Sequence, residues 1–389
     1  MTNHWRTAIF GLLAVALFVA ATVNEAAAQL FETKATQAFM IDAETGTVLF
    51  SKDADAAIQP ASLAKLMTLE LTFNAIKSGR LTREDTFVVS ENAWRTGGAP
   101  SGTSTMFAAV KSAIRLEDLI RGIAVQSAND GCIVIAEGVA GSETNFALQM
   151  TERAREIGLA KSTFVNSTGL PAEGQVTTVR ELVQLSHHLW REYPDLYRYF
   201  GEKDFTWNKI SQRNRNPLLT MEIGADGLAV GASEQNGFGI VGSVNQGGKR
   251  VIAAMSGFAS DRERAEEARK LLEWGLRSFE KTEIFAADEV AGEAQVYGGT
   301  KSGVALKAKG PIDIFLPITN RDKVTARIIY QGPLSAPVEE GQPVGTLRVW
   351  IGDTLSQETP LFAAETVEVG TLQSRALDAV EELAIGWLR

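Results

Sequence analysis

The hydrophobic pattern of the chain changes near Lys281 and divides it into two folding units. Residues 30–276 mix short apolar strands with long apolar helices, which predicts one mixed domain with a sizeable core. Residues 285–370 contain short alternating runs broken by Gly and Pro, which is typical of a small all-β module. The chain has 389 residues and is 45% hydrophobic, enough for two such domains.

The pattern also predicts individual elements. Helices are expected at Ala61–Ser78, Arg115–Ile123, Ala128–Ala140, Glu143–Ile157, Val179–Arg191 and Arg262–Arg277. Strands of the first domain are expected at Ala38–Ile41, Thr47–Ser51, Phe238–Ser243 and Arg250–Met255. Strands of the second domain are expected at Val304–Lys307, Ile312–Leu316, Val324–Tyr330 and Gly345–Trp350.

The first 28 residues have the features of a secretory signal peptide. They combine Arg6, an apolar stretch from Ile9 to Val23, and the small residues 26–28 that suit a cleavage site. An uncleaved membrane anchor is the alternative interpretation, but the apolar stretch is short for one. We therefore expect residues 1–28 to be cleaved and the mature chain to be periplasmic.

Residues 372–389 have apolar residues at helical spacing, which predicts an amphipathic helix. The apolar face, which includes Trp387, favours a position on the outer face of the cytoplasmic membrane. The polar face carries Asp378, Glu381 and Glu382, which suits anionic lipid poorly. Packing against the protein itself or a partner is the alternative, and both interpretations stay open.

The segment Gln59–Thr68 contains a serine and a lysine three residues apart, Ser62 and Lys65. If this segment is helical, the two side chains share one face. An amine held against a hydroxyl in a low-dielectric site can lose its proton and then deprotonate the hydroxyl. Ser62 is therefore a candidate acylating nucleophile and Lys65 its candidate base, although the same spacing occurs in ordinary amphipathic helices.

A second element, Ser127-Ala-Asn129, follows an apolar helical pattern. Its serine can relay a proton to a leaving amine, and its asparagine amide can bind a substrate carbonyl. Ser, Asn and Asp are also good helix caps, so this stretch can begin a helix at the same time.

A third element is only partly present. Segment Gly224–Ser233 follows the pattern D-G-x-K-T-G-x-T at its Asp and Gly positions, and Ser233 stands in place of the last Thr. Ala229 and Val230, however, stand where the pattern has Lys and Thr. The segment therefore keeps the shape of the pattern while it lacks the charge and the hydroxyl.

Together these elements resemble the low-molecular-mass penicillin-binding proteins, which are serine-type D-Ala-D-Ala carboxypeptidases. The resemblance continues through Ala38–Leu49, Trp94–Phe107, Phe164–Pro171, Asn214–Leu218 and Ser260–Arg264, and so spans nearly the whole mature chain. It implies an α+β fold: a serine β-lactamase/DD-transpeptidase-like domain, with an antiparallel sheet flanked by helices, followed by a small all-β domain.

The resemblance also implies roles for residues. Ser62 would attack the penultimate D-Ala carbonyl of a peptidoglycan stem peptide, Lys65 would act as base, and Ser127 would pass a proton to the leaving D-Ala. The substrate-binding residues would be Asn129, Gly231, Ala232, Ser233 and Arg264. The backbone N–H groups of Ser62 and Ala232 would hold the oxyanion, and Arg264 the substrate carboxylate. β-Lactams would acylate the same serine, and no cofactor or metal is expected.

The missing lysine leaves the level of activity open. Loss of one charge-assisted contact in a dry site corresponds to roughly 2–4 kcal/mol, or on the order of 10²–10³ in rate. Lys209 and Arg213 are nearby candidates for a replacement cation, although surface charge is the simpler interpretation of both. A peptidoglycan-binding scaffold that is catalytically impaired, an endopeptidase and a β-lactamase are the alternatives. The last is disfavoured because no E-x-x-L-N element is found.

Net charge and the counts of histidine and cysteine argue against several other kinds of protein. Net charge is −9 and no basic patch is visible, which disfavours nucleic acid as a partner. Three histidines leave little material for a zinc site, and we expect His187 and His188 to have packing roles. Cys132 is the single cysteine, so no internal disulfide can form, and its apolar surroundings predict a buried small side chain.

Overall fold

A computed structural model describes residues 31–319 and 321–372. All of its helices and strands belong to the unit that begins at Lys34. The predicted signal peptide at 1–28, and the predicted helix 372–389 apart from its first residue, lie outside the described residues. Within the described part, no helix has both the length and the apolar character needed to cross a bilayer.

The helices are α1 (Lys65–Lys77), α2 (Leu116–Gln126), α3 (Asn129–Ala140), α4 (Glu143–Glu156), α5 (Val179–Glu192), the short α6 (Pro194–Tyr197) and α7 (Asp261–Arg277). The strands up to residue 258 are β1 (Gln37–Asp42), β2 (Val48–Lys52), β3 (Thr86–Val88), β4 (Ala113–Arg115), β5 (Asp204–Trp207), β6 (Ile210–Arg213), β7 (Ala225–Ser233), β8 (Gly237–Gln246) and β9 (Lys249–Phe258). The later strands are β10 (Phe279–Phe285), β11 (Gly292–Tyr297), β12 (Gly303–Lys307), β13 (Ile312–Pro317), β14 (Val324–Tyr330), β15 (Leu334–Ser335), β16 (Pro343–Ile351) and β17 (Thr354–Ala363).

The first domain is built on a five-stranded sheet with the order β2-β1-β9-β8-β7. Every neighbouring pair in it is antiparallel. Helix α5 packs on β1 and β9, and α7 packs on β8 and β9. The sheet is therefore covered by helices, and β7 is left as the edge strand that lies beside the start of α1.

Helix α1 lies in the middle of the domain. Every residue from Lys65 to Phe73 is buried, and the helix contacts α3, α4 and α5. A helix that is buried on all sides must be apolar or must pair its polar groups. Glu70 meets this requirement because its carboxylate accepts hydrogen bonds from Arg153 and Tyr193. The result is a rigid base for the residues at the start of the helix.

The second domain is all-β. Its main sheet has the order β14-β16-β17-β12-β11-β15, and β10 pairs with β13 in a separate two-stranded sheet. Strand β10 follows α7 directly and lies in the interval that the sequence analysis left between the two domains. Buried apolar side chains such as Ile314, Leu347 and Leu361 fill the core of the second domain.

Polar contacts fasten the two domains together. Thr47 Oγ1, in the turn before β2, donates to Gln357 Oε1 of β17 at 2.9 Å and accepts from the N–H of Phe315 at 3.3 Å. Lys249 Nζ donates to the carbonyls of Gly275 and Phe279 at 2.8 and 3.0 Å, which ties β9 to the α7–β10 connection. The small domain is thereby fixed at the edge of the sheet where β2 lies, away from β7.

The predicted α+β fold followed by an all-β domain is confirmed. One element differs from its prediction. The expected helix Ala61–Ser78 begins as a 3₁₀ turn, Ala61–Ala64, and becomes α-helical only at Lys65. Ala61 has a positive φ of 48°, so the backbone enters the turn from a conformation that an α-helix cannot contain.

Candidate active site

Ser62 and Lys65 are brought together by the 3₁₀ turn Ala61–Ala64. In such a turn, side chains three residues apart are eclipsed, and Lys65 Nζ lies 3.0 Å from Ser62 Oγ. Lys65 is buried, and this burial lowers the pKa of its amine from 10.5 to about 8. About a tenth of the amine is therefore neutral at pH 7 and able to take the hydroxyl proton of Ser62.

A loop carbonyl holds the lysine in place. Lys65 Nζ donates to the carbonyl of Thr168 at 2.5 Å. The next residue, Gly169, has a φ of +78°, and a Cβ at this position would lie 1.8 Å from the carbonyl oxygen of Ala61. Only glycine allows this approach. The loop can therefore lie directly on the 3₁₀ turn, and Gly169 N–H donates to Asn166 Oδ1 at 2.7 Å to fix it there.

Ser127 lies at the junction of two helices. It ends α2 in the left-handed conformation, with φ 60° and ψ 40°, and α3 begins two residues later. A non-glycine residue held in this conformation stores strain, which is most often found at functional sites. Ser127 is half-buried and lines the same cleft as Ser62 and Lys65.

Asn129 is the first residue of α3 and is almost fully buried. Its Nδ2 donates to Thr103 Oγ1 at 2.9 Å, and its backbone N–H donates to the carbonyl of Ser104 at 2.8 Å. Its Oδ1 is buried and has no hydrogen-bond partner among the described residues. Asn129 is not among the residues that line the cleft between Ser62 and Ser127, and its contact with a substrate carbonyl stays a prediction.

Strand β7 forms the opposite wall of the cleft. Ala229 and Val230 line the cleft and supply no polar side-chain atom. At Gly231 the backbone passes close to the nucleophile: a Cβ there would lie 3.2 Å from the backbone N of Ser62. The following residue, Ala232, is exposed. The backbone of the expected third element is therefore in place without its cation and hydroxyl.

The end of β7 is tied to the loop before Ser62. Ser233 Oγ accepts from the N–H of Asn236 at 3.0 Å, and Asn236 Oδ1 accepts from the N–H of Gln59 at 2.8 Å. This chain of bonds fixes the separation of the two walls.

Arg264 lies behind this end of the sheet. It is 4% exposed, its guanidinium bonds to Asp261, and it lies 5.8 Å from the centre of the Phe238 ring. Phe238 is the register partner of Ala232 on β7. Arg264 is not among the residues that line the cleft between Ser62 and Ser127, and its role in substrate binding stays a prediction.

A different cation, which the sequence analysis did not single out, lines the cleft. Arg215 is exposed and is among the residues that line the cleft, as are Ala229 and Ser127. Its backbone N–H donates to the carbonyl of Val125 at 3.0 Å, which fastens it to the end of α2. The run Asn214–Asn216 carried part of the family resemblance, and this was the one available signal.

The two cations proposed as substitutes lie elsewhere. Lys209 and Arg213 are exposed on the β5–β6 hairpin and do not line the cleft. The cleft is lined by Ser62, Lys65, Leu66, Leu69, Ile123, Ala124, Ser127, Phe200, Asn214, Arg215, Asn216, Leu228, Ala229 and Val230. The cleft thus brings the predicted catalytic residues Ser62, Lys65 and Ser127 together with β7, the strand that carries Ala229 and Val230.

The cysteine and the histidines agree with their predictions. Cys132 is free and fully buried. His187 Nε2 lies 2.8 Å from the carbonyl oxygen of Ala43, and His188 Nε2 lies 3.1 Å from Glu70 Oε1. These contacts give both histidines packing roles outside the cleft.

Comparison with protein families gives two matches. The first, D-alanyl-D-alanine carboxypeptidase, covers residues 22–259. The second, the C-terminal domain of penicillin-binding protein 5, covers residues 279–369. Among curated proteins, D-alanyl-D-alanine carboxypeptidase DacC of Escherichia coli (strain K12) is 35% identical over 370 residues, which is 94% of this chain and 92% of the relative. DacA of the same strain is 30% identical over 351 residues, which is 90% of this chain and 87% of the relative.

Solved structures give the same result. Penicillin-binding protein 5 from Haemophilus influenzae is 30% identical with a TM-score of 0.73, and the match covers 87% of this chain and 98% of that one. Penicillin-binding protein D2 from Listeria monocytogenes, in its ampicillin-bound form, is 26% identical with a TM-score of 0.57. That match covers 64% of this chain and 99% of the other.

Proposed function

Since the chain belongs to the D-alanyl-D-alanine carboxypeptidase family, we propose that it removes the terminal D-Ala of peptidoglycan stem peptides through an acyl-enzyme on Ser62. The observation that carries this assignment is the contact of 3.0 Å between Lys65 Nζ and Ser62 Oγ, made by a buried lysine. A nucleophile and its base within hydrogen-bond reach, with the base held by a third group, are the minimum for covalent catalysis.

Acylation begins with the neutral amine of Lys65. It takes the proton of Ser62 Oγ as this oxygen attacks the carbonyl carbon of the penultimate D-Ala. The resulting oxyanion is held by the backbone N–H groups of Ser62 and Ala232. The close approach of Gly231 to the backbone of Ser62 supports this pairing, and the contribution does not require a side chain.

Ser127 then passes its proton to the nitrogen of the leaving D-Ala and is reprotonated by Lys65. Its position in the cleft beside Lys65 supports this role. Asn129 would bind a carbonyl of the peptide through its amide, which would exchange its bond to Thr103 for the substrate. Water afterwards hydrolyses the ester and releases the shortened peptide.

We assign recognition of the terminal carboxylate chiefly to Arg215, an exposed residue of the cleft lining whose Nε donates to Gln126 Oε1 at 3.4 Å. A planar guanidinium can bind a carboxylate through two parallel hydrogen bonds. Arg264, Gly231 and Ser233 complete the proposed substrate-binding set. Arg264 would act from behind the Ala232 end of β7.

β-Lactams would acylate Ser62 by the same route, as the ampicillin-bound form of the Listeria relative suggests. We further propose that the protein works in the periplasm, on the outer face of the cytoplasmic membrane. This rests on the apolar pattern of residues 1–28 and the amphipathic pattern of residues 372–389. Fractionation of cells, with and without residues 372–389, would test it: loss of membrane association on truncation is expected.

The altered strand favours a second candidate function, a binding scaffold with impaired turnover. Ala229 and Val230 remove the cation and hydroxyl that the family pattern has at this wall. The two candidates are separated by incubating the mature protein with a fluorescent penicillin and by measuring D-Ala release from a D-Ala-D-Ala-terminated pentapeptide.

We expect both labelling and D-Ala release, and the Ser62→Ala variant should show neither. Labelling without D-Ala release would favour a protein that is acylated but does not turn over. Absence of both signals would favour a scaffold that binds peptidoglycan without catalysis. If Ser62→Ala labelled as well as the parent, the nucleophile would be a different residue.

A further inference from the structure

The carbonyl that holds Lys65 belongs to a peptide unit that is hydrogen-bonded at both ends. At one end, the Thr168 carbonyl accepts from Lys65 Nζ at 2.5 Å. At the other end, the N–H of the same unit, which belongs to Gly169, donates to Asn166 Oδ1 at 2.7 Å. Hydrogen bonds at the two ends of one amide polarise each other, so the carbonyl becomes a better acceptor for the lysine. Asn166 is thus linked to the catalytic base through a single peptide unit.

The side chain of Asn166 is held in one orientation. Its Nδ2 donates to the carbonyl of Leu170 at 2.9 Å, and its Oδ1 also accepts from Thr168 Oγ1 at 3.2 Å. Both ends of the amide are therefore engaged within the same loop. The acceptor is presented to the Gly169 N–H in a fixed position, and the peptide unit must follow it.

The other anchors of this loop act on the preceding residue. Ser167 donates to Glu143 Oε1 through its N–H at 3.0 Å and its Oγ at 2.6 Å, and its carbonyl accepts from Thr68 Oγ1 at 2.6 Å. These bonds fix Ser167 between α4 and α1. They do not fix the plane of the next peptide unit, which ends in Gly169, the residue with the most backbone freedom. The bond to Asn166 limits this freedom.

The alignment of this carbonyl affects the charge of the lysine. Lys65 is buried, which disfavours its ammonium form and lowers its pKa to about 8. A carbonyl that accepts from the ammonium favours the charged form and opposes this effect. Cys132 of α3 is the titratable group coupled to Lys65, and burial raises the pKa of its thiol to about 12, so it is neutral below pH 10. A change in the carbonyl should therefore appear as a change in the pKa of Lys65.

We propose that Asn166 is a positioning residue for the catalytic base: it orients the Thr168–Gly169 peptide unit so that its carbonyl aligns Lys65 Nζ with Ser62 Oγ. The proposal rests on the proposed function, in which Lys65 is the base. Asn166 is not among the residues that line the cleft. Its effect therefore passes through the loop and does not require contact with the substrate.

The Asn166→Ala variant tests the proposal, because it removes the acceptor that holds the peptide unit. The plateau rate of acylation by a fluorescent penicillin should fall about tenfold, since the amine is less well aligned. The midpoint of the pH–rate profile should move down by about 0.5–1 pH unit, because the ammonium loses a stabilising acceptor and gives up its proton at lower pH. A loss of stability alone would leave the midpoint unchanged.

Gln175→Ala is the matched control. Gln175 is buried, its Nε2 donates to the carbonyl of Leu170 at 3.3 Å, and its Oε1 accepts from the N–H of Val165 at 3.4 Å. It therefore supports the same loop without a bond to the Thr168–Gly169 unit. We expect a lower melting temperature, with the parental midpoint and a plateau rate within about twofold. Equal midpoint shifts in Gln175→Ala and Asn166→Ala would overturn the proposal.

Asn166→Asp gives a shift of the opposite sign and serves if the alanine variant does not fold. It keeps the side-chain volume and the acceptor for the Gly169 N–H, but it adds a carboxylate one peptide unit from the ammonium. The midpoint should move up by about 0.5 pH unit, because a nearby negative charge favours the protonated amine. A midpoint that stays at the parental value would contradict the proposed link between Asn166 and Lys65.

A readout without catalysis keeps this proposal distinct from the proposed function. The pKa of Lys65 can be followed by NMR through its ¹³Cε signal in protein labelled with ¹³C-lysine, with Lys65→Met for assignment. We expect Asn166→Ala to lower this pKa in the absence of any substrate, and Gln175→Ala to leave it unchanged. An unchanged pKa in Asn166→Ala would refute the proposal even if the parent acylates. A parent that shows the expected difference but never acylates would refute the proposed function instead.

Discussion

The cleft has two walls: the helical wall, which carries Ser62, Lys65 and Ser127, and the strand wall, which is formed by β7. The helical wall has the side chains of the family pattern, whereas the strand wall has only its backbone. On the helical wall, the side chains are complete: Ser62, Lys65 and Ser127 are together, and Lys65 is bonded to Ser62 and to a loop carbonyl. On the strand wall the backbone is complete, because β7 pairs continuously with β8 from Gly227 to Ser233 and approaches the nitrogen of Ser62. The side chains of Ala229 and Val230 supply no polar atom.

This difference follows from how each wall is built. A strand is positioned by backbone hydrogen bonds, so replacing Lys and Thr by Ala and Val leaves the ladder intact. A buried lysine such as Lys65 is positioned by its own partners, and removing any of them exposes an unpaired polar group. Steps that use backbone donors should therefore survive on the strand wall, while steps that need a cation there should be slowed.

The largest effect is expected on the helical wall, from Lys65→Met. Methionine keeps the volume and the apolar stem but removes the base, so acylation by a fluorescent penicillin should fall by about 10²–10⁴. The melting temperature should rise or stay unchanged, since a buried charge is removed. Acylation at the parental rate would show that another group acts as base.

The next largest effect is a gain on the strand wall. Ala229→Lys with Val230→Thr restores a cation and a hydroxyl and should speed acylation by up to about 10²–10³. The single Val230→Thr variant is the matched control and should give the smaller part of the gain. No change, or a loss, would mean that Arg215 has already taken over and that the added lysine competes with it.

Sequence predicted the helical wall better than the strand wall. The spacing of Ser62 and Lys65 and the Ser127-Ala-Asn129 element depend on local pattern, and the structure brings Ser62, Lys65 and Ser127 into one cleft. The helices were predicted to within a few residues, except that the first begins as a 3₁₀ turn. Sequence reasoning named Lys209 and Arg213 as candidates for a replacement cation, with surface charge as the simpler interpretation, and both lie outside the cleft. Arg215, which it did not name for this role, lines the cleft. Which residue of a short loop faces a cavity depends on long-range contacts such as the bond from Arg215 to Val125, and no periodicity reveals these.

The pH dependence of acylation reports on the base of the helical wall. Burial lowers the pKa of Lys65 from 10.5 to about 8, and only the neutral amine accepts the proton of Ser62. The acylation rate should therefore rise about tenfold per pH unit below pH 8 and level off above it. The rate is measured between pH 5.5 and 9.5 with stability checked at each pH, and a flat profile would contradict a lysine base.

The smallest effects are expected from two glycine-to-alanine variants. Comparing them separates the contact between the Gly169 loop and the 3₁₀ turn from backbone strain alone. Gly169 and Gly174 both have positive φ, +78° and +84°, but only Gly169 touches the 3₁₀ turn. Gly174→Ala adds a Cβ whose nearest atom is 3.8 Å away, so it should lower the free energy of unfolding by about 1–2 kcal/mol and leave acylation unchanged.

Gly169→Ala carries the same backbone strain and in addition places a Cβ against Ala61 O. The loop must then move away from the turn, and the Thr168 carbonyl moves with it. We expect a larger loss of stability than for Gly174→Ala, and about tenfold slower acylation because Lys65 loses its alignment with Ser62. Equal behaviour of the two variants in denaturant unfolding and labelling would mean that the loop does not position the lysine. The rigidity of the helical wall would then come from α1 alone.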